Sequence, residues 1–508
     1  MDWLEAIDFQ AALENVQRDV RGDWYRDPWD WRELDWLVPD HLEEHAIPRL
    51  NASGVKRTAQ LDVAKENFAV RPAVVLDPLD RIIYQGLVDC LSARLVEQLP
   101  DWAYGWRLPR NKPSAGAYAR NDEEWEAFRD HLGRLASYDS AALTTDVVSF
   151  FGSIPLEPLC EQILDRVSNE PARRLVDMVR AWYQTTGRGL PQRSAASAVL
   201  AHMSLEPLDT IIDHYGAVPP GGIKLVPEGR ALRWMDDIWI FGRRTTPLRE
   251  AQIRLQAGMR DLGLEMNFGK TQVLTGHELL EAVLDIEHSA VDSALNEDDP
   301  DVQPLDDLID HVLEAPETTE RTSIHFMTTR MRTHELFDRV PEISEHLERM
   351  PHAADHLARL LRDSGAWEGL QDWFVAYARR WHQRLPWAVG QFGTMFPAKA
   401  GVERSLIDYV SEVLTTGAAP LPLLTLACQR LSVWDPGEAR VLIRDCANRE
   451  SHPLSRRSLG IAALHAGEAN SVVRNLLRQH EENSLILAML EDTKFDVRAI
   501  PTSVDYTG

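Results

Sequence analysis

From Trp234 to Phe241 the chain reads Trp-Met-Asp-Asp-Ile-Trp-Ile-Phe, two adjacent carboxylates inside an otherwise apolar and aromatic run. Leu232–Met235 and Ile238–Phe241 have the composition of two short strands, and Asp236 and Asp237 fall where they meet. Asp is a common turn residue, so a plain hairpin is one reading. A two-residue hairpin turn ordinarily asks for Gly, however, and none is present. Carboxylates rising from a buried sheet are also costly unless a cation meets them. The run is therefore read evenly as a hairpin or as a metal site.

A third carboxylate, Asp146, stands in the strand-like run Ala142–Val148. Joining a nucleotide to a hydroxyl by in-line displacement needs two divalent metals roughly 3.5–4 Å apart. Hard oxygen ligands at the ends of rigid strands suit that task, and Asp146 with Asp236-Asp237 would supply them.

The surrounding segments alternate. Helical spacing is read at Trp3–Val16, Leu79–Gln98, Asn121–Ala136, Leu156–Val167, Ala172–Tyr183 and Pro247–Leu262, and strand-like runs at Ala73–Leu76 and Gln272–Leu274. Gly187-Arg188-Gly189-Leu190-Pro191 interrupts the pattern and opens a helix through Ser197 and Leu205. After about residue 285 the texture changes. Beyond the acidic stretch Asn296–Asp301, one helical segment follows another: Ala353–Arg362, Trp367–Arg380, Arg404–Thr415, Leu421–Leu431 and Pro436–Cys446, the last with Asp435 as N-cap. An α-helical repeat array and an irregular helical bundle both fit, since no strict period is found.

At 508 residues the chain is long enough for two or three domains. It contains no run of 18 apolar residues, it begins acidic, and its four cysteines are scattered. The expectation is a cytoplasmic protein without a membrane span. The net charge of −25 opposes nucleic-acid binding over most of the surface. Residues 1–50 carry −8, 51–280 only −2, and 281–508 carry −15, so a nucleic-acid path is expected as a local basic groove in the middle third.

From Arg71 to about Leu274 the chain resembles a reverse transcriptase, with motifs in the family's order. Asp146-Val147-Val148-Ser149-Phe150-Phe151 resembles the first aspartate motif. The resemblance implies that Asp146 binds both metals, with the adjacent Val147 counted among the metal-binding positions. Phe151, five positions on, becomes the gate against a ribose 2′-hydroxyl, which implies dNTP substrates. Gly189-Leu190-Pro191-Gln192-Arg193 resembles the nucleotide-positioning motif, with Gln192 along the incoming nucleotide and Arg193 where Gly is common. Trp234-Met235-Asp236-Asp237 resembles the hallmark turn with Trp in place of Tyr; Asp236 is the second shared metal ligand and Asp237 the less direct one. Lys270, in Leu262–Thr271, takes the role of proton donor to the departing pyrophosphate. Upstream, Arg71 and more weakly Lys65 would grip the triphosphate. Tyr104-Gly105-Trp106-Arg107 resembles a family element between the fingers and the first aspartate motif, and Arg81 and Arg107 are each read evenly as part of these elements' function or as buried structural arginines paired with local acid.

The implied fold class is α+β: right-hand polymerase fingers and palm over 51–285, preceded by an N-terminal helical segment (1–50) and followed by an all-α helical-repeat domain (286–508). A polymerase core with a long helical extension, and no His-rich nuclease motif or zinc knuckle after residue 280, resembles the bacterial defence-associated, abortive-infection group of reverse transcriptases. That resemblance implies an anti-phage RNA-directed DNA polymerase using two Mg2+ ions, with Mn2+ as a substitute. Protein-primed and untemplated synthesis stay open; Tyr118, Tyr138, Tyr215 and Tyr506 are potential primers, each read first as a structural tyrosine. The implied partners are dNTPs, RNA and/or single-stranded DNA and a phage-derived trigger, with homo-oligomers open and no membrane. Two rival readings are a retron or mobile-element enzyme copying a specific RNA, and a catalytically silent nucleic-acid-binding scaffold.

Overall fold

The computed structural model describes residues 3–37, 39–52, 57–109, 116–182, 187–217, 229–295, 301–399, 401–416 and 419–492. Its seven strands are β1 (Ala59–Ala64), β2 (Val70–Val75), β3 (Ala103–Tyr104), β4 (Ala141–Thr145), β5 (Ala231–Trp234), β6 (Asp237–Gly242) and β7 (Gln272–Thr275). The chain divides into two compact units that interleave along the sequence: residues 1–23, 42–56 and 80–289 form one, and residues 24–41, 57–79 and 290–508 the other.

The first unit is built on a five-stranded sheet of order β3-β5-β6-β4-β7, in which only β3 and β5 run parallel. All five residues of β4 are buried or half-buried, so the sheet is covered on both faces. One cover is the helix pair Ala195–Gly216 and Thr245–Asp261, and another is the pair Asn121–Tyr138 and Gly276–Leu284. The first pair approaches closely because Gly258 has no side chain. A Cβ there would lie 2.8 Å from Ile211 and 2.9 Å from Leu208. Ala195–Leu205 is buried at every position, as its small and apolar sequence, broken only by His202, dictates.

The second unit contains the antiparallel pair β1–β2 and a series of helices. Helices Arg321–Thr333, Ala354–Asp363, Pro386–Gly393, Leu421–Trp434 and Pro453–His465 pack side by side as one layer, each on the next. Intervening helices, among them Gln371–Trp381, Arg404–Thr416 and Pro436–Arg449, form a second layer. Successive helices of the first layer begin 32 to 35 residues apart. Polar contacts repeat at that interval: Arg380 with Glu348 at 3.0 Å, Arg379 with Glu412 at 2.9 Å, Thr425 with Ser458 at 3.1 Å. The repeat is thus one of structure, carried by apolar faces and arginine–carboxylate rungs without a fixed residue pattern. Asp435 caps its helix by accepting from the Glu438 N–H at 3.0 Å.

Segment 24–36 packs along the first layer. Trp387 Nε1 donates to the Trp24 carbonyl at 2.8 Å, and Tyr25 shares a hydrogen bond with Thr425 at 3.0 Å. Arg457, buried among the helices, binds Asp27 at 2.8 Å and pairs with Glu33. Among the described residues no helix is long and apolar enough to cross a membrane.

Candidate active site

The carboxylates come together at one end of the sheet. In the β4–β6 ladder Thr145 faces Ile238, so the next residues outward are Asp146 and Asp237. In the β5–β6 hairpin Trp234 faces Asp237, which leaves Met235 and Asp236 as a two-residue turn. Met235 takes a positive φ of 55° there, a conformation that favours Gly. The missing Gly of the sequence is therefore met by a non-Gly residue held in a strained turn, not by a different turn.

Asp236 carries the electrostatic consequence. Burial, then the neighbouring Asp146, then Asp237 raise its pKa to about 7, against hydrogen bonds from its own N–H and that of Val147. Val147 itself is buried, and its bridge to Met266 aligns the Asp146 segment with Glu265–Asn267. The Asn267 N–H donates to the Asp146 carbonyl at 3.0 Å, and the Val148 N–H to Glu265 at 2.9 Å. Lys270 follows in the same turn, its N–H donating to Asn267 at 3.1 Å and its side chain exposed.

Phe151 and Gln192 are brought to one place by backbone pairing. The Leu190 N–H donates to the Phe151 carbonyl at 2.7 Å, and the Gly189 N–H to Ile154 at 2.9 Å. Phe151 is half-buried beside Phe150, with ring centroids 5.4 Å apart, while Gln192 is buried. Arg193 is exposed at a positive φ of 56°. Its carbonyl accepts from Arg81 at 3.0 Å, and Arg81 also pairs with Asp23. Arg107 binds Glu124 at 2.7 Å and lies 4.6 Å over the Tyr104 ring. Arg81 and Arg107 are thus structural arginines with local acid, one of the two readings the sequence allowed.

Lys65 and Arg71 belong to the second unit, flanking and within the β1–β2 pair, where the Arg71 guanidinium lies 5.5 Å over the Trp24 ring. Tyr118 donates to Asp89 at 2.5 Å, Tyr138 is exposed, and Tyr215 packs on His214; Tyr506 lies outside the described residues.

One network escaped sequence reasoning. Arg233, fully buried on β5, binds Asp209 through two bonds of 2.8 and 2.9 Å. It also donates to His202 Nδ1 at 2.9 Å and to the Met235 carbonyl at 3.1 Å. Because Nδ1 accepts from a guanidinium, the His202 proton sits on Nε2, which donates to Gly105 at 2.7 Å. Burial, and next the Arg233 charge, hold His202 neutral with a pKa near 3. The strained turn that presents Asp236 is thus tied from below by a cation. The available signal was His202 and Asp209, seven residues apart and so on one face of the same helix. Trp234, where Tyr was expected, is received by Trp125 and Phe128, whose rings lie 5.0 and 5.9 Å away.

Among the described residues, no three His, Cys, Asp or Glu side chains form a ready cation cage. Asp146, Asp236 and Asp237 are the side chains here that could offer oxygen to a hard divalent cation. The donor set is all oxygen, and the raised pKa of Asp236 marks repulsion that divalent charge would relieve.

No curated protein matches the chain. A family model described as "Reverse transcriptase (RNA-dependent DNA polymerase)" matches residues 63–328, a span holding every carboxylate of this site and more than half of the chain, and the protein belongs to that family.

Proposed function

We propose that this RNA-directed DNA polymerase extends a primer with dNTPs at Asp146, Asp236 and Asp237, which would hold two Mg2+ ions, Mn2+ serving as a substitute. The observation that carries this reading is the strand register that sets Asp146 beside Asp237 at one end of β4 and β6, with Asp236 in the adjoining turn. When bound, the ions would activate the attacking hydroxyl and steady the departing pyrophosphate. The chain's own groups do the rest. The N–H groups of Val147 and Asp236 orient the Asp236 carboxylate, and Arg233 fixes the Met235 carbonyl. Gln192 lies along the nucleotide, Phe151 packs against the sugar where a 2′-hydroxyl would stand, and Lys270 donates a proton to pyrophosphate. The family resemblance gives the triphosphate contact to Arg71, with Lys65.

Asp236→Asn keeps the size of the side chain and removes its charge. Primer extension with Mg2+ should fall by at least on the order of 10²–10³-fold while the melting temperature holds or rises. Undiminished extension would defeat the assignment and favour a catalytically silent scaffold.

In biological terms we place the chain in anti-phage defence. Support comes from the stacked helices of the second unit, a helical extension of the kind on which the resemblance to the defence-associated group rests. Purified protein incubated with labelled dNTPs alone tests the finer reading, self-primed synthesis without template. Label appearing only after template and primer are added would reject it, and a dedicated RNA co-purifying with the protein would favour a retron-like enzyme.

A further inference from the structure

The turn that carries Gln192 is held from outside. Arg193 keeps a positive φ of 56°, which a residue with a side chain retains only where its surroundings impose it. A solvent-open cavity of about 690 Å3 borders the turn, with Trp106, Asn121, Arg193 and Ala195 among its walls. Packing cannot fix the turn from that side. Ser194, the N-cap of the helix that follows, makes no capping bond with its own side chain.

Polar groups from two segments distant in sequence take up both tasks. Helix Pro78–Leu95 presents Arg81, Tyr84 and Gln85 on one face, as their spacing of three and four dictates. Arg81 donates to the Arg193 carbonyl at 3.0 Å, Gln85 accepts from the Ala196 N–H at 3.1 Å, and Tyr84 shares a hydrogen bond with Ser197 at 3.0 Å. From the N-terminal segment, Asp19 accepts from the Ala195 N–H at 2.7 Å, and Asp23 pairs with Arg81. The Asp23 and Arg81 side chains are only 6% and 9% exposed, so the pair is shielded from water. Burial raises the pKa of Asp19 to about 6, and the Arg81 charge leads the influences opposing that rise, so one guanidinium faces both acids. The grips fall on residues 193, 195 and 196, directly after Gln192. A shift of the Arg193 peptide would carry Gln192 with it.

We propose that Asp23 and Arg81 are positioning residues for the incoming nucleotide: Asp23 orients the Arg81 guanidinium, which holds the Arg193 carbonyl and through it the Gln192 side chain. This positioning rests on the reading of Gln192 as a nucleotide contact, and the two are tested separately.

Steady-state primer extension gives kcat and the dNTP KM for the unaltered protein, Gln192→Ala, Asp23→Leu/Arg81→Met, and all three changes together. Replacing Asp23 and Arg81 as a pair strands no buried charge. The dNTP KM should rise about fivefold or more with Gln192→Ala and with the Asp23→Leu/Arg81→Met pair, kcat changing less. On top of Gln192→Ala the pair should add less than about twofold, a loss of effect that a merely structural role would not produce. Arg81→Lys keeps a cation for Asp23 without the planar fork that reaches two partners, and it decides by the same comparison if the pair fails to fold. An unchanged KM in a folded variant, or an equal rise with and without Gln192, would overturn the proposal. Gln192→Ala without effect on the dNTP KM would instead defeat the nucleotide role of Gln192 itself, and the positioning role with it.

Discussion

Replacing Arg233 by Met tests whether the buried network under the turn positions the chemistry or merely supports the fold. Met is similar in length and lacks all four polar contacts, the two to Asp209, one to His202 and one to the Met235 carbonyl. Asp209, 7% exposed, would be left as a buried carboxylate without its guanidinium. Breaking a buried pair in this way costs about 3–5 kcal/mol. For a unit of this size, that predicts a melting temperature lower by roughly 6–20 °C. The double variant Arg233→Met/Asp209→Leu removes the stranded charge and should recover most of that loss, because an apolar pair of similar volume replaces an ion pair at little cost. Activity should not recover with it, since the Met235 carbonyl still lacks its donor and the strained turn its tether. Thermal unfolding and primer extension on both variants separate the two effects. A double variant that regains stability and full extension rate would refute the positioning role, and a single variant losing less than about 1 kcal/mol would refute the energetics.

Phe151→Ala should lower the preference for dNTP over rNTP by on the order of tenfold or more, measured as the ratio of kcat/KM values; an unchanged ratio places the sugar elsewhere. Asp89 has its pKa raised to about 6 by burial, against hydrogen bonds from Tyr118, Gln85 and Asn15. Its native form therefore keeps a proton that the unfolded chain releases between about pH 4 and 6, and its contribution to stability falls as pH rises through that window. Asp89→Asn should flatten the pH dependence of urea unfolding there by about 2–3 kcal/mol, and parallel profiles for the two proteins would contradict this. Arg457→Met leaves Asp27 and Glu33 buried without their cation, so the second unit should lose about 3–5 kcal/mol, read by thermal unfolding; a loss below about 1 kcal/mol would mean the acids find other partners.

The carboxylate-bearing end of the sheet was legible because its signals are local. Apolar runs of strand length bracket Asp236-Asp237, and Asp146 follows a third, so the sequence alone placed three carboxylates at strand ends. The Asp435 cap was legible for the same reason, since a capping side chain acts within three residues. Arg233 was not. In Ala-Leu-Arg-Trp it looks like the outward member of an alternating strand, yet it is fully buried against residues 24 and 31 positions away. Nor was the division of the chain readable: Trp24 and Asp27 join the helical unit through contacts some 360 and 430 residues distant. The 33-residue interval was hidden because a helix face asks only for apolar side chains at helical spacing, and many sequences satisfy that.

A net charge of −25 looks hostile to a polymerase that must hold nucleic acid. Counting the last 228 residues as one acidic block conceals where the charge lies. Residues 281–320 alone carry −14, whereas residues 321–490, which contain the stacked helices, sum to +1. Acid at one stretch repels a polyanion locally, and at physiological salt its field fades within about 8 Å. It does not forbid a cationic lining further along the same unit. The expectation of a nucleic-acid path in the middle third therefore does not require the whole of the second unit to be acidic. Within that stretch the arginines of the first helical layer are largely matched by acids of the same unit, Asp355 with Arg321, Asp292 with Arg330, and Asp27 and Glu33 with Arg457 among them.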